Sequence, residues 1–226
     1  IAITLLLMLV FSVQYLEVTI MEARNFITAR EMITDGNWLL TTMNGEPRYQ
    51  KPPLPTWLAA ISALLFGIKS VFAYRLPGII MTIVLSITVY LLSLELIGSK
   101  SKSLINGLVA ATSFYVVAIV IEAPWDIFTH GFMLLGILNL FMLFQKQQGY
   151  WKHTLLAGLF IGLSILCKGP VSFYALLLPF LISYGVTYKF KNFKSKAFSY
   201  FSLLIIALVI GGWWYLYVRI QDPDTF

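Results

Sequence analysis

Six side chains could do chemistry in a chain that is otherwise almost continuously apolar: Glu22, Arg24, Lys51, Arg75, Asp126 and Lys168. Glu22 and Asp126 are the candidate proton acceptors, because a carboxylate at a membrane boundary is partly desolvated and can serve as a base. Lys51 and Lys168 are the candidate anion ligands, each a point charge beside a proline-containing stretch. Lys51 heads the run Lys51-Pro52-Pro53-Leu54-Pro55, whose prolines bias the backbone to extended conformation. Lys168 precedes Gly169-Pro170, a helix break that frees backbone polar groups. Arg24 and Arg75 are helpers, either structural or on the same anion. Together these types fit an anionic lipid headgroup held by lysines, with a proton transfer beside it.

Every member also has a plainer role. Glu22 suits an interfacial ion pair with Arg24 or Arg75. Asp126 suits the dipole-favoured first turn of a helix beginning near Pro124. Lys51 is otherwise a loop lysine, and Lys168 a lysine reaching for headgroups. Glu122, Asp126 and His130 are spaced four apart, so a helix stacks them on one face. They are fewer ligands than a dry metal site needs, so no metal ligand is assigned and a divalent cation has only thin support.

Residues 20–56, the one long polar interval, must position the first half of such a site. The interval holds four acids, four basic residues and four prolines. Residues 22–34 read as an amphipathic surface helix, with Ala23, Phe26, Ile27 and Ile33 apolar, stopped at Asp35-Gly36-Asn37. Residues 44–47 read as a turn, and 56–66 as a second short apolar helix ending at Gly67. The outer loop so defined covers about 20–76.

Apolar runs near the length that crosses ~30 Å of hydrocarbon place spans at 1–19, 77–97, 104–121, 127–144 and 198–218, with two more flanking Lys168-Gly169-Pro170. From Lys152 the fifth span reaches Lys168 after only about 24 Å at 1.5 Å per residue. Lys168 therefore sits at or just below the interface, where an ammonium is tolerated mainly when it lines a polar cavity.

Composition agrees with this layout. Hydrophobic residues make up 59% and charged residues 12%, with a mean hydropathy of +0.82, beyond the balance of a soluble domain. The expected fold is an all-α polytopic helical membrane protein, with about seven transmembrane helices and a large outer loop of surface helices. The chain opens inside an apolar run without a basic n-region, so it reads as starting part-way into a first span, and as a fragment. Cys167 is the only cysteine, which leaves no disulfide framework and no thiolate metal cluster. The net charge of +6 is a topology signal: the loops after spans two, four and six carry eight lysines and no acid. By the positive-inside rule those loops are cytoplasmic, and the polar interval lies outside with Asp126 and Lys168. No nucleic-acid partner is implied.

Four stretches then occur in order: EARNFITAREMITDGNWLL, NGEPRYQKPPLPTWL, AYRLPG and LSILCKGPV. Together they resemble the N-terminal half of the polyprenyl-phosphate-sugar-dependent glycosyltransferases with the GT-C fold, closest to the lipid A aminoarabinose transferase and bacterial protein O-mannosyltransferase group. The resemblance implies that residues 1–226 are the N-terminal part of a GT-C transmembrane domain in a bacterial plasma membrane. It implies transfer of a sugar from a polyprenyl-phosphate donor to a lipid, glycan or protein hydroxyl at the periplasmic face, among membrane lipids. It also implies roles. Glu22 matches the second of an acidic pair, Lys51 the lysine that meets the lipid phosphate, Asp126 an acid at the start of span four, and Lys168 the lysine of a Lys-Gly-Pro turn.

Two positions depart from that pattern. Met21 stands where the group's Asp is usual, and a thioether cannot accept a proton, so either Glu22 or Asp126 is the base, or the mechanism differs, or the chain is a non-catalytic relative. Gln50 stands where Glu is usual, which weakens the case for the divalent metal bound by some members. The expected function is membrane glycosyl transfer, with Lys51, Lys168, Arg24 and Arg75 on the donor phosphate. Two other readings remain: a lipid-linked-sugar translocase, which needs intramembrane lysines and broken helices as well, and a non-catalytic family member, for which Met21 speaks.

Overall fold

The computed structural model describes residues 1, 3, 16–122, 124–189 and 194–225. The chain runs through α1 (Ile20–Thr34), a hairpin of β1 (Thr42–Met43) and β2 (Glu46–Pro47), α2 (Leu54–Phe66), α3 (Val71–Ile97) and α4 (Lys100–Thr112). It continues through α5 (Phe114–Glu122), α6 (Pro124–Gln145) and α7 (Trp151–Lys168). A π-helical turn (Phe173–Leu177) then enters α8 (Leu178–Tyr188), and a 3-10 turn (Lys194–Lys196) enters α9 (Ala197–Gln221). Helices α3, α6 and α9 are long and apolar enough to cross a membrane by themselves. The fold is that of an all-α polytopic membrane protein.

Several expected boundaries shift, each for a local reason. The helix carrying Arg75 begins at Val71 rather than near Pro77, because the Ser70 side chain caps it by accepting from the Ala73 amide at 3.3 Å. Pro77 lies inside this 27-residue helix, which absorbs one missing backbone donor. The third span is two helices, not one, because Ser113 adopts an extended ψ of 126° that ends α4. The fifth and sixth spans appear as α7, 18 residues long, and α8 with its preceding π-turn. Span one and Lys191 lie almost wholly outside the described residues, as do the side-chain contacts of Glu122.

The surface-helix expectation for α1 needs correcting in one respect. Its inward stripe is mostly polar, formed by Glu22, Asn25, Thr28 and Glu31 beside Ala29 and Met32. Each polar member has a partner waiting. The Asn25 Oδ1 accepts from Thr56 Oγ1 at 2.8 Å. Glu31 accepts from Thr42 Oγ1 and from the Asn44 amide, both at 2.6 Å, and so fixes the hairpin turn. Ala59, Ala60 and Ala63 of α2 and Ala73 of α3 complete the packing under α1.

Helix α7 packs between α6 and α9, and α6 packs in turn on α3. Helix α7 meets α9 across small residues: a Cβ on Gly162 would stand 2.7 Å from the Ile210 Cβ and 3.0 Å from the Ala207 carbonyl oxygen. The bundle has two unlike ends. One, the loop end, gathers α1, the hairpin and the C-terminus of α9, where Trp214 Nε1 donates to the Leu39 carbonyl at 2.9 Å. The other, the lysine end, gathers the termini of α6, α7 and α9, tied by the Lys196 ammonium.

Candidate active site

At the loop end, two helix termini bring a carboxylate and an ammonium together. Helix α6 starts at Pro124, which puts Asp126 in its first turn, where the helix dipole favours an anion. Helix α7 stops at Lys168 because Gly169 takes φ +70° and ψ −151°, a conformation that side-chain-bearing residues rarely adopt. The chain turns there, and the Lys168 Nζ donates to the Asp126 carboxylate. This pair is accessible, with side chains 29% and 17% exposed. One turn along α6, the His130 Nδ1 meets the buried Ser172 Oγ at 3.0 Å, which anchors the segment after Pro170 against α6.

Lys51 reaches the same place from the loop. Pro52 and Pro53 are buried and α2 begins directly after them, so the lysine is held at a fixed corner. Its Nζ lies over the Trp125 ring, 4.2 Å from the centroid, and the Arg48 guanidinium lies over the same ring at 5.4 Å. Arg48 is tied down: one Nη donates to the Arg24 carbonyl at 2.8 Å and to Thr28 Oγ1 at 2.6 Å. Lys51 has no hydrogen bond or ion pair among the described residues.

The electrostatics are lopsided. Lys51 is surrounded by the cations Lys168, Arg48 and Arg24, with Asp126 as the one opposing charge among the described residues. Burial holds its pKa below the ordinary lysine value, Lys168 and Arg48 push it further down, and Asp126 pulls the other way. Arg48 is likewise lowered, by burial first and then by Arg24. The arrangement is a surplus of positive charge around one carboxylate, and it will attract an anion.

Glu22 and Arg75 stand apart from this group. The Glu22 carboxylate accepts from Arg75 Nε at 2.8 Å and from an Arg75 Nη at 2.7 Å, and both side chains are 1% exposed. Glu22 also closes a capping box with Thr19 at the start of α1. Arg75 donates in addition to the carbonyls of Leu16 and Glu17, so the pair binds the chain before α1 onto α3. Of the plainer roles weighed for Glu22, pairing with Arg75 is the one the geometry realises. Arg24 keeps an exposed side chain at the edge of the cation group, and Met21 is 41% exposed beside it.

The described residues offer little to a divalent cation. Position 50 is a neutral, exposed amide, and among the described residues no three His, Cys, Asp or Glu side chains converge.

Sequence reasoning gave Arg48 and Trp125 no role. Trp125 is adjacent to Asp126 and Arg48 lies three positions before Lys51, but no spacing rule joins position 125 to positions 48 and 51. The structural use of Glu22 did leave a signal, the Thr19-x-x-Glu22 spacing of a capping box.

The comparisons with known proteins agree with this fold. The chain is 25% identical over 205 residues to the undecaprenyl phosphate-alpha-4-amino-4-deoxy-L-arabinose arabinosyl transferase of Erwinia tasmaniensis, a match covering 90% of this chain and 36% of that protein. A transferase of the same description from Pseudomonas fluorescens is 28% identical over 208 residues, covering 90% and 37%. The chain therefore spans well under half the length of these relatives. Among solved structures, that of ArnT from Cupriavidus metallidurans bound to undecaprenyl phosphate superposes with a TM-score of 0.80 at 20% identity, over 98% of this chain and 41% of that one. The family model described as dolichyl-phosphate-mannose-protein mannosyltransferase matches residues 50–215, and the chain belongs to that family.

Proposed function

We propose that this chain forms the N-terminal part of a membrane glycosyltransferase that moves a sugar from a polyprenyl-phosphate donor to a hydroxyl of a lipid, glycan or protein. The loop end faces the periplasmic side of a bacterial inner membrane in this reading, as the lysine-rich loops at the other end require. The carrying observation is the accessible Asp126 amid the cations Lys51, Lys168, Arg48 and Arg24. Lys51, without a hydrogen bond or ion pair among the described residues, takes the donor phosphate, with Lys168 and Arg24 beside it. As the bond between the sugar C1 and the phosphate oxygen breaks, the cations stabilise the charge left on the polyprenyl phosphate. The acceptor oxygen bonds to C1 and its proton passes to Asp126. Glu22, a candidate base, and Arg75, a helper either structural or on the anion, act here by holding α1 in position. The pentosyl or hexosyl nature of the sugar belongs to the same proposal and is read out by the choice of donor.

The test is sugar transfer by the full-length protein from polyprenyl-phosphate sugars. Asp126→Asn is expected to lose about 10²–10⁴-fold in kcat, and Lys51→Ala about 10²-fold in kcat/KM. Unchanged rates in both variants would overturn the assignment. Met21, in place of the group's usual Asp, motivates a second reading, a family member that binds the lipid without turnover. Binding of polyprenyl phosphate with no transfer from any donor would establish it.

A further inference from the structure

Trp125 is the residue at the loop end whose chemistry the reaction outlined above does not use. It is 2% exposed, and its Nε1 has no hydrogen-bond partner among the described residues. A buried donor left unmet carries an uncompensated desolvation cost. Phenylalanine would fill much of the same space without that cost. What an indole offers over a benzene ring is a more negative face, the best of the aromatic side chains for a cation. Here that face is occupied twice, by Lys51 Nζ at 4.2 Å and Arg48 Cζ at 5.4 Å.

The neighbouring groups cannot take over this task. The cleft around Trp125 is lined by Thr28, Thr41, Thr56, Arg48, Lys51 and Pro53. All three hydroxyls are spent within the protein, Thr28 on the Arg24 carbonyl and Arg48, Thr41 on the Arg48 carbonyl, and Thr56 on Asn25. Among the described residues the one carboxylate acting on Lys51 is that of Asp126, and it accepts from Lys168. The Trp125 face is thus the contact left to steady the Lys51 ammonium before a ligand arrives.

We infer that Trp125 is a positioning residue: its ring holds the Lys51 ammonium charged and aimed at the incoming lipid phosphate, at the expense of an unmet indole N–H. This rests on the assignment of Lys51 to the donor phosphate. The ring favours the charged lysine against burial and against the like charges of Lys168, Arg48 and Arg24, with Asp126 helping. Removing the ring therefore lets Lys51 deprotonate at lower pH, and phosphate affinity fails earlier on the alkaline side.

The experiment measures binding of undecaprenyl phosphate to the full-length protein in nanodiscs, across pH, for wild type, Trp125→Phe, Trp125→Leu, Lys51→Met and the Trp125→Phe/Lys51→Met double variant. Affinity is expected to fall about threefold in W125F and about tenfold in W125L, with the alkaline limb moved to lower pH in both. In the Lys51→Met background, W125F is expected to change nothing further, because the ring acts through the ammonium. A general packing role would lower affinity equally in both backgrounds, and that result overturns the inference. Wild-type affinity and pH limb in W125F, with binding lost in Lys51→Met, overturns it while leaving the phosphate site standing. Wild-type binding by Lys51→Met overturns the phosphate assignment itself.

Discussion

Two lysines at opposite ends of the bundle show what separates a cation with unspent hydrogen bonds from a structural one. Lys196, at the lysine end, is 3% exposed, and its Nζ donates to the carbonyls of Leu143, Phe144 and Lys146 at the end of α6. It satisfies carbonyls that a helix C-terminus leaves without partners, and its charge suits the negative end of the dipole. Lys51, at the loop end, is half-buried, rests on an aromatic face and faces three other cations. Burial lowers the pKa of both. Only Lys51 is further depressed by like charges, and only Lys51 has its hydrogen-bonding capacity unspent among the described residues. The fold spends the hydrogen bonds of one lysine and leaves those of the other unspent among the described residues.

The contrast between spent and unspent charge can be broken at its strongest point first. Arg75→Met leaves the Glu22 carboxylate buried and unpaired, and the expected loss of stability is about 3–5 kcal/mol. Chemical denaturation in detergent measures it, and replacing both partners with apolar residues should recover most of the loss. A single variant as stable as wild type would return Glu22 to the list of candidate bases. Next, Lys196→Met should cost about 2 kcal/mol, since buried carbonyls lose their donor. Bound undecaprenyl phosphate per folded molecule should not change, and a fall in that affinity would remove the distinction between the two ends.

The smallest effect is the most specific. Lys51 has a folded-state pKa below that of a free lysine. In the window between those two values the unfolded chain holds more protons, so stability rises with pH as the buried charge is relieved. Phosphate affinity moves the opposite way, falling as the ammonium is lost. Lys51→Arg, which keeps its charge, should flatten both dependences, each followed by titration from neutral to alkaline pH. Parallel rather than opposed pH trends in the wild type would show that another group is titrating.

Much of the frame was legible because it depends on near neighbours in sequence. The end of α1 before Gly36 and the stop of α7 at Lys168-Gly169-Pro170 follow from residues that take backbone conformations others avoid. Asp126 was legible as a first-turn acid because Pro124 marks a helix start. The boundary of α3 was missed because Pro77 reads as a helix beginning, whereas Ser70 supplies the cap seven residues earlier and the helix tolerates the proline. The polar inward stripe of α1 was missed for a different reason. An apolar side is visible in sequence, but whether a polar side is buried depends on partners far along the chain, here Arg75, Thr56 and the hairpin.

By itself, then, the sequence determined the class of the molecule, the charge bias between its two ends and the short list of side chains able to act. These depend on composition, on helical length against membrane thickness and on local backbone preference. Only the tertiary structure decided which carboxylate is spent and which is accessible. Glu22 is neutralised by an arginine 53 positions away, while Lys51 is laid on a tryptophan 74 positions away, beside Asp126. Burial and pairing are properties of contacts between distant segments, and the availability of a charge is set by them rather than by its residue type.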